Sequence, residues 1–230
     1  MSKFFVPLAL LPILGVLPAT GTTIVATGDT MISTYDAFGG GANANNGGLN
    51  FLATIGDNIF VGGNSAATKA LFYFDMSSYA GSVITGNATF SILITGVVPP
   101  GTDRSMDVRS ILVPWSEGSV TWNNFGDAPG VTLGTDVSAV PISTVVFAPV
   151  NGVANFVIPQ AIVQAWIDSP GSNNGFMLDM PIGADIYYDS REAATAGNRP
   201  SLTFVAVPEP SSSFLLLSGA CLAFTGRRRR

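Results

Sequence analysis

The chain contains no histidine. That absence removes Ser-His-Asp and Cys-His nucleophilic machinery, imidazole zinc sites and the usual general base at neutral pH. Its one cysteine, Cys221, lies close to the C-terminus. The preceding domain therefore forms no disulfide and rests on core packing, with or without a metal. Charge is scarce as well, with Asp, Glu, Lys and Arg making up 11% of 230 residues and a net charge of −5. Between Thr22 and Val205 five basic side chains face fourteen acidic ones, a balance of −9 that Lys3 and the terminal arginines conceal. Too few Lys and Arg remain to neutralise phosphates, which argues against nucleic acid or anionic lipid as a charge-driven partner. An acidic surface serves solubility first, and it also suits calcium.

What is present begins at the two ends. Lys3 followed by the apolar run Phe4–Leu17 and the small residues Ala19, Thr20 and Gly21 reads as a secretory signal peptide over 1–21, an address for the Sec machinery. At the other end, Val207-Pro208-Glu209-Pro210 precedes an apolar segment over 211–225, expected as a short hydrophobic helix, and the block Arg227, Arg228, Arg229, Arg230. The apolar segment is interrupted by Ser218 and Gly219 and is shorter than the roughly 20 residues of an independent spanning helix. Arginines stay on the cytoplasmic side of a membrane, so the order of parts holds the C-terminus inside with the domain outside. This tail resembles the PEP-CTERM sorting signal of Gram-negative bacteria. The resemblance implies recognition by an exosortase, a membrane-embedded transpeptidase, and removal near the Pro-Glu-Pro signature. It also implies a transient membrane anchor through 207–230, and then a place at the cell surface or in the extracellular matrix.

The intervening stretch, 22–206, is the right length for one domain with a sizeable core. Short apolar segments alternate with Gly/Asn/Ser/Pro turns, the pattern of an all-β, antiparallel β-sandwich. Expected strands are 23–26, 70–74, 88–95, 105–112, 119–123, 144–147, 154–158, 175–180, 186–189 and 201–207. The continuous apolar run around Leu71 and Phe72 predicts a strand covered on both faces, whereas Phe90, Ile92 and Ile94 alternate with Ser91, Leu93 and Thr95 as a half-buried strand does. Gly39–Gly48 reads as a loop with no drive to pack. Ile162, Val163, Trp166 and Ile167 have helical spacing, with Pro159 near the start and Ser169-Pro170-Gly171 as the stop, which predicts one short helix.

Several segments resemble DNRLRE-type domains. Ala70-Leu71-Phe72-Tyr73-Phe74-Asp75-Met76-Ser77 looks like their "RALLRFDLS" strand, and Trp115-Ser116-Glu117-Gly118-Ser119-Val120-Thr121-Trp122-Asn123 matches "W-x-E-x-x-V-T-W-N". Val163–Trp166 with Asn173-Asn174-Gly175, Tyr187–Glu192 and Arg199-Pro200-Ser201-Leu202 fit the later elements. The resemblance implies a jelly-roll fold and, by analogy with relatives that are carbohydrate-binding modules, a polysaccharide ligand. Tyr73 stands where an arginine is common, and the serine pair is altered at Asp189-Ser190-Arg191-Glu192, which bears on the ligand rather than the fold.

Candidate carbohydrate contacts are Tyr187, Tyr188 and Arg191; adjacent tyrosines in a strand face opposite ways, so one should be exposed. Trp115, Trp122 and Trp166 could stack on sugars, but core positions are the better reading. Glu117 is the carboxylate most suited to acid–base work, with Asp107 or Glu192 as a second group; a turn residue bonding local backbone is the preferred reading. Oxygen ligands for a structural calcium are plentiful, Asp29, Asp36, Asp57, Asp103, Asp107, Asp127, Asp136, Asp185 and Asp189 among them, but no compact ligand loop gathers them. The expectation is a non-catalytic surface protein, with a ligand-free spacer and a carboxylate-dependent lyase or hydrolase as alternatives.

Overall fold

The computed structural model describes residues 21–34, 41–59, 65–98, 104–127, 129–147, 151–180 and 185–208. Residues 1–20 of the signal-peptide reading over 1–21, most of the sorting tail (from Glu209) and the oxygen ligands Asp36 and Asp103 lie outside them; of Asp57 only the backbone is described. Twelve strands occur among the described residues: β1 Gly21–Val25, β2 Gly28–Ser33, β3 Phe51–Ile59, β4 Ser65–Tyr73, β5 Ser82–Ile84, β6 Ala88–Val98, β7 Arg104–Ser110, β8 Ser143–Phe147, β9 Gly152–Ile158, β10 Phe176–Asp179, β11 Asp185–Asp189 and β12 Ser201–Pro208. The helix α1, Gln160–Asp168, follows β9. All strand pairings of the sheet are antiparallel, and the described residues are mostly β with one α-helix.

The sheet runs β1-β12-β6-β11-β3-β4-β10-β7-β8, with β2 on β4, β5 on β12 and β9 on β6. Two strands organise its curl. β6 carries β9 along one edge and divides the other between β12 and β11. β4 carries β2 along one edge and divides the other between β3 and β10. The β11–β3 pair thus bridges two groups of strands that turn toward each other. Phe72 of β4 and Phe90 of β6 belong to strands that do not pair, yet their rings meet edge-on at 5.1 Å. That contact lies in the main core enclosed by the curled sheet, where Phe74, Phe156, Phe176 and Phe204 also sit. Period-two alternation supplies the inward faces: Ala88, Phe90, Ile92 and Ile94 from β6, and Ala154, Phe156 and Ile158 from β9.

β4 is covered on both sides, as its apolar run predicts. Phe72 enters the main core, while Leu71 faces a second cluster with Ile32, Met177 and Ile111. Val120, Phe125 and Val137, from the long segment between β7 and β8, close that second cluster from outside. The segment holds its shape through Asp136, which is fully buried and accepts from the backbone N–H groups of Asp127 and Thr132 at 3.3 and 2.8 Å. Beside it, Lys69, Asp179, Arg109 and Asp107 form an unbroken chain of ion pairs across β4, β10 and β7. Thr144 completes Asp107, and the Ser138 and Ala139 carbonyls complete Arg109. Two cations against two anions, each hydrogen-bonded, make this a satisfied structural network.

Three strands exceed the sequence reading. β2, β3 and β5 carry Gly, Asp, Thr, Asn or Ser and lack a clean apolar alternation. Conversely, 119–123 is not a strand. Val120 N donates to Ser116 O, and the Asn124 amide bonds both Thr121 N and Ser119 O, so local side-chain bonding wins over a ladder. The described part of Gly39–Gly48 does pack: Asn46 is buried and donates to Met31 O of the edge strand β2, and Asn45 donates to Glu117 O and Val120 O. Apolar content is a poor guide there because the drive is hydrogen bonding. The helix comes one residue inside its predicted span. Asn87 accepts from Gln160 N at its first turn, and Trp166 packs on Phe176 at 4.7 Å.

Gly175, in the Asn-Asn-Gly element, has φ +80°, and a Cβ there would collide with the Phe72 carbonyl oxygen. Asn173 fixes this turn by accepting from Gly175 N and donating to Phe74 O. Gly175→Ala is therefore expected to destabilise the protein by about 2–3 kcal/mol, read as a lowered denaturation midpoint with unchanged m-value.

Candidate metal centre

One end of the main core is closed by charged groups from three separate parts of the chain. Asp29 comes from β2, Glu117 from the segment after β7, and Arg191 with Glu192 from the connection between β11 and β12. Carboxylate oxygens of Asp29, Glu117 and Glu192 lie within 4.8 Å of one another. Arg191 joins them. Its Nε and Nη2 donate to Glu117 Oε1 and Oε2, both at 2.8 Å, and Nε also faces Glu192 Oε1 at 2.9 Å. Its backbone N–H donates to Asp29 Oδ2 at 2.7 Å. Glu117 Oε1 accepts as well from the backbone N–H of Asp29, at 3.2 Å. β2 pairs with β4 on one edge, so Glu117 and Asn46 together cover free backbone groups on the other.

Local structure explains why these groups meet. Asp29 sits in a strand buried along its whole length. Ser190, fully buried, donates to Leu49 O and accepts from Glu192 N, which folds 190–192 back over the core end. Glu117 is carried by the turns around Ser116, with Asn45 gripping its carbonyl. The expected role of Glu117 as a bonder of local backbone is thereby corrected, because the backbone N–H it accepts from is 88 residues away.

Burial dominates the electrostatics. Asp29 is 1% exposed, and its pKa is pushed from 3.8 up to about 8 by that burial, with Glu192 and Glu117 adding to it and the Arg191 N–H opposing. Asp29 Oδ1 and Glu192 Oε2 are buried without a hydrogen-bond partner. Arg191 holds its proton more firmly than a free guanidinium, chiefly through the Glu117 bonds. An oxygen-only donor set of this kind suits a hard cation such as calcium or magnesium and lacks the imidazole and thiolate donors that zinc and copper favour.

The sequence-selected residues separate here. Arg191 and Glu192 stand beside Glu117, whereas Asp107 belongs to the Lys69–Arg109 network. Tyr188 is corrected as a surface candidate: it is 0% exposed, its hydroxyl pairs with Thr54 Oγ1 at 2.6 Å, and burial raises its pKa. Tyr187, on the other face of β11, is half-buried beside Gly96. Trp166 is a core residue at 4% exposure. Trp115 and Trp122 are half-buried against the second cluster. Trp115 Nε1 donates to Asn174 O at 2.8 Å, and the ring lines a shallow depression of about 230 Å³ with Thr27, Gly28, Tyr73 and Glu117. The carboxylate cluster has no spacing motif in the sequence, since Glu117 lies 88 residues from Asp29 and 74 from the Arg191 that precedes Glu192.

The structure thus defines a mostly-β domain whose last strand, β12, ends at Pro208. Residues 206–230 match the family model of the PEP-CTERM protein-sorting motif. The tail therefore supports an exosortase-sorted, exported surface protein, processed at the membrane. Comparison with curated proteins gave no match.

Asp29 sets a pH dependence. The folded chain keeps the Asp29 proton up to about pH 8, while the unfolded chain releases it near 3.8. Its contribution is complete below about pH 4 and declines as pH rises to about 8. In chelator-containing buffer, urea unfolding across this window should show wild type losing stability relative to Asp29→Asn, and the difference should level off above pH 8.

Proposed function

We propose that this chain is an exported, non-catalytic module of the DNRLRE-like jelly-roll kind, released to the surface of a Gram-negative cell by exosortase and associated there with extracellular polysaccharide. The observation that carries the sorting part is the match over 206–230, which follows the domain without a linker: Val207 and Pro208 already pair with Val83 and Ser82 of β5. The Sec machinery is the expected exporter, with the tail holding the chain in the membrane until cleavage.

The polysaccharide part is supported by the depression around Trp115. A half-buried indole fixed by its N–H, with Tyr73 alongside and polar groups at the rim, offers the apolar face and hydrogen bonds that a sugar ring requires. Arg191 stays within this proposal through its contact with Glu117 at the depression, although its guanidinium already serves Glu117 and Glu192, and Tyr187 stays as a half-buried ring on β11. Asp29 has the proton affinity of a general acid, but its burial keeps it from touching a substrate.

Two outcomes are expected. Scrambling Val207–Pro210 should accumulate a longer, membrane-retained form on immunoblots of fractionated cells; normal processing of that variant would remove the sorting role. In titrations of the full-length chain against acidic and neutral bacterial polysaccharides, binding to one class should weaken at least about tenfold in Trp115→Ala, the loss of one anchoring aromatic. A folded protein that binds none of them would instead be a spacer.

A further inference from the structure

We propose that Asp29, Glu117 and Glu192 form a calcium site that cross-links the three segments carrying them. Acidic side chains gather on many surfaces without a ligand; here one of them, Asp29, is almost wholly buried and still has an oxygen, Oδ1, that no donor satisfies. A second such oxygen, Glu192 Oε2, belongs to the same cluster. Leaving a buried carboxylate oxygen unmatched is costly, so each is a vacant valence aimed at a cation.

Geometry and charge agree on the ligand. Calcium takes oxygens at about 2.3–2.6 Å, so ligands on opposite sides of the ion stand about 4.6–5.2 Å apart. The three carboxylates present oxygens within 4.8 Å of one another, close enough to share one such ion. Magnesium demands near-ideal octahedral geometry at about 2.0–2.1 Å and dehydrates reluctantly, whereas calcium accepts flexible coordination by carboxylates from separate segments. Three carboxylates and the Arg191 guanidinium carry a charge of −2 when all are ionised, which a divalent cation neutralises. Arg191 bonds both oxygens of Glu117 and Asp29 N–H bonds Oε1 again, so Glu117 offers the ion the remaining lone pair of Oε2, while Asp29 Oδ1 and Glu192 Oε2 are wholly open to it.

The consequence is mechanical. β2 is the edge strand of one layer, Glu117 belongs to the segment that covers the second cluster, and Glu192 lies just before β12, which runs to the sorting motif. A cation joining them closes long loops, where cross-links constrain the unfolded chain most. A domain whose sequence offers only Cys221, in the tail, gains by this route what other exported domains obtain from disulfides.

The test is thermal unfolding of the full-length chain in detergent micelles, stripped with EDTA and then given CaCl2, MgCl2 or NaCl at matched ionic strength. Calcium at a hundredfold excess over Kd should raise Tm by about 5–10 °C, with magnesium far weaker and sodium inert. Asp29→Asn and Glu192→Gln should each abolish the calcium shift; Glu192 is partly exposed, so its variant carries the test if Asp29→Asn fails to fold. Terbium emission excited through Trp115, which shares a depression with Glu117, should appear in wild type, be quenched by excess calcium and be lost in Glu192→Gln. A folded wild type with no calcium shift, a shift equal in magnesium, or one that survives in Glu192→Gln would overturn the proposal.

Discussion

The two-sided burial of β4 is the constraint on which the rest of the architecture depends. Ala70, Leu71 and Phe72 are all fully buried, so neither face of that strand can meet water. One face is covered when the sheet curls and brings β6 over it, with Phe72 against Phe90. The other needs the long segment between β7 and β8, whose Val120, Phe125 and Val137 close over Leu71 and Ile32. Fixing that segment requires Asp136 inside it and Asn45 outside it, and its anchoring brings Glu117 to the edge of β2. The carboxylate cluster is thus a by-product of covering a strand, positioned by packing rather than by any loop motif.

That origin explains the character of the site. A buried aspartate beside two glutamates is unfavourable unless protons, cations or hydrogen bonds offset the charge. The chain uses an arginine on Glu117 and backbone N–H groups on Asp29 and Glu117, yet burial, with Glu192 and Glu117 beside it, still raises the proton affinity of Asp29. The Lys69–Asp179–Arg109–Asp107 network shows the contrast, because there the charges balance and every group is bonded. Functional interest therefore falls on the end of the core where balance is incomplete, and on the adjoining Trp115 surface.

Much of the fold was legible in the residues. The all-β class, the single helix over Gln160–Asp168 and the double covering of Leu71 and Phe72 follow from periodicity, because burial writes itself into apolar spacing. β2 was not legible. Gly28-Asp29-Thr30 carries no apolar signal, and its burial depends on partners contributed from residues 46, 117 and 191. The turns over 119–123 were misread for a related reason: Val120 and Trp122 alternate like a strand, while Asn124 captures the backbone. Of the site, Glu117, Arg191 and Glu192 were each singled out, but their meeting with Asp29 is a tertiary fact. Adjacent Tyr187 and Tyr188 separated as strand geometry requires, one inward and one outward.

Sorting and folding meet at β12. Its last residues pair with β5 and are also the first residues of the sorting motif, so the domain ends where the address begins. A protein arranged in this way has its sorting motif starting inside its last strand. The most direct measurement is the intact mass of the protein recovered from the surface of the producing cells. The account predicts a chain lacking both the apolar N-terminal run and Arg227–Arg230, with its new C-terminus close to Val207–Pro210. A surface form that retains the four terminal arginines would contradict it.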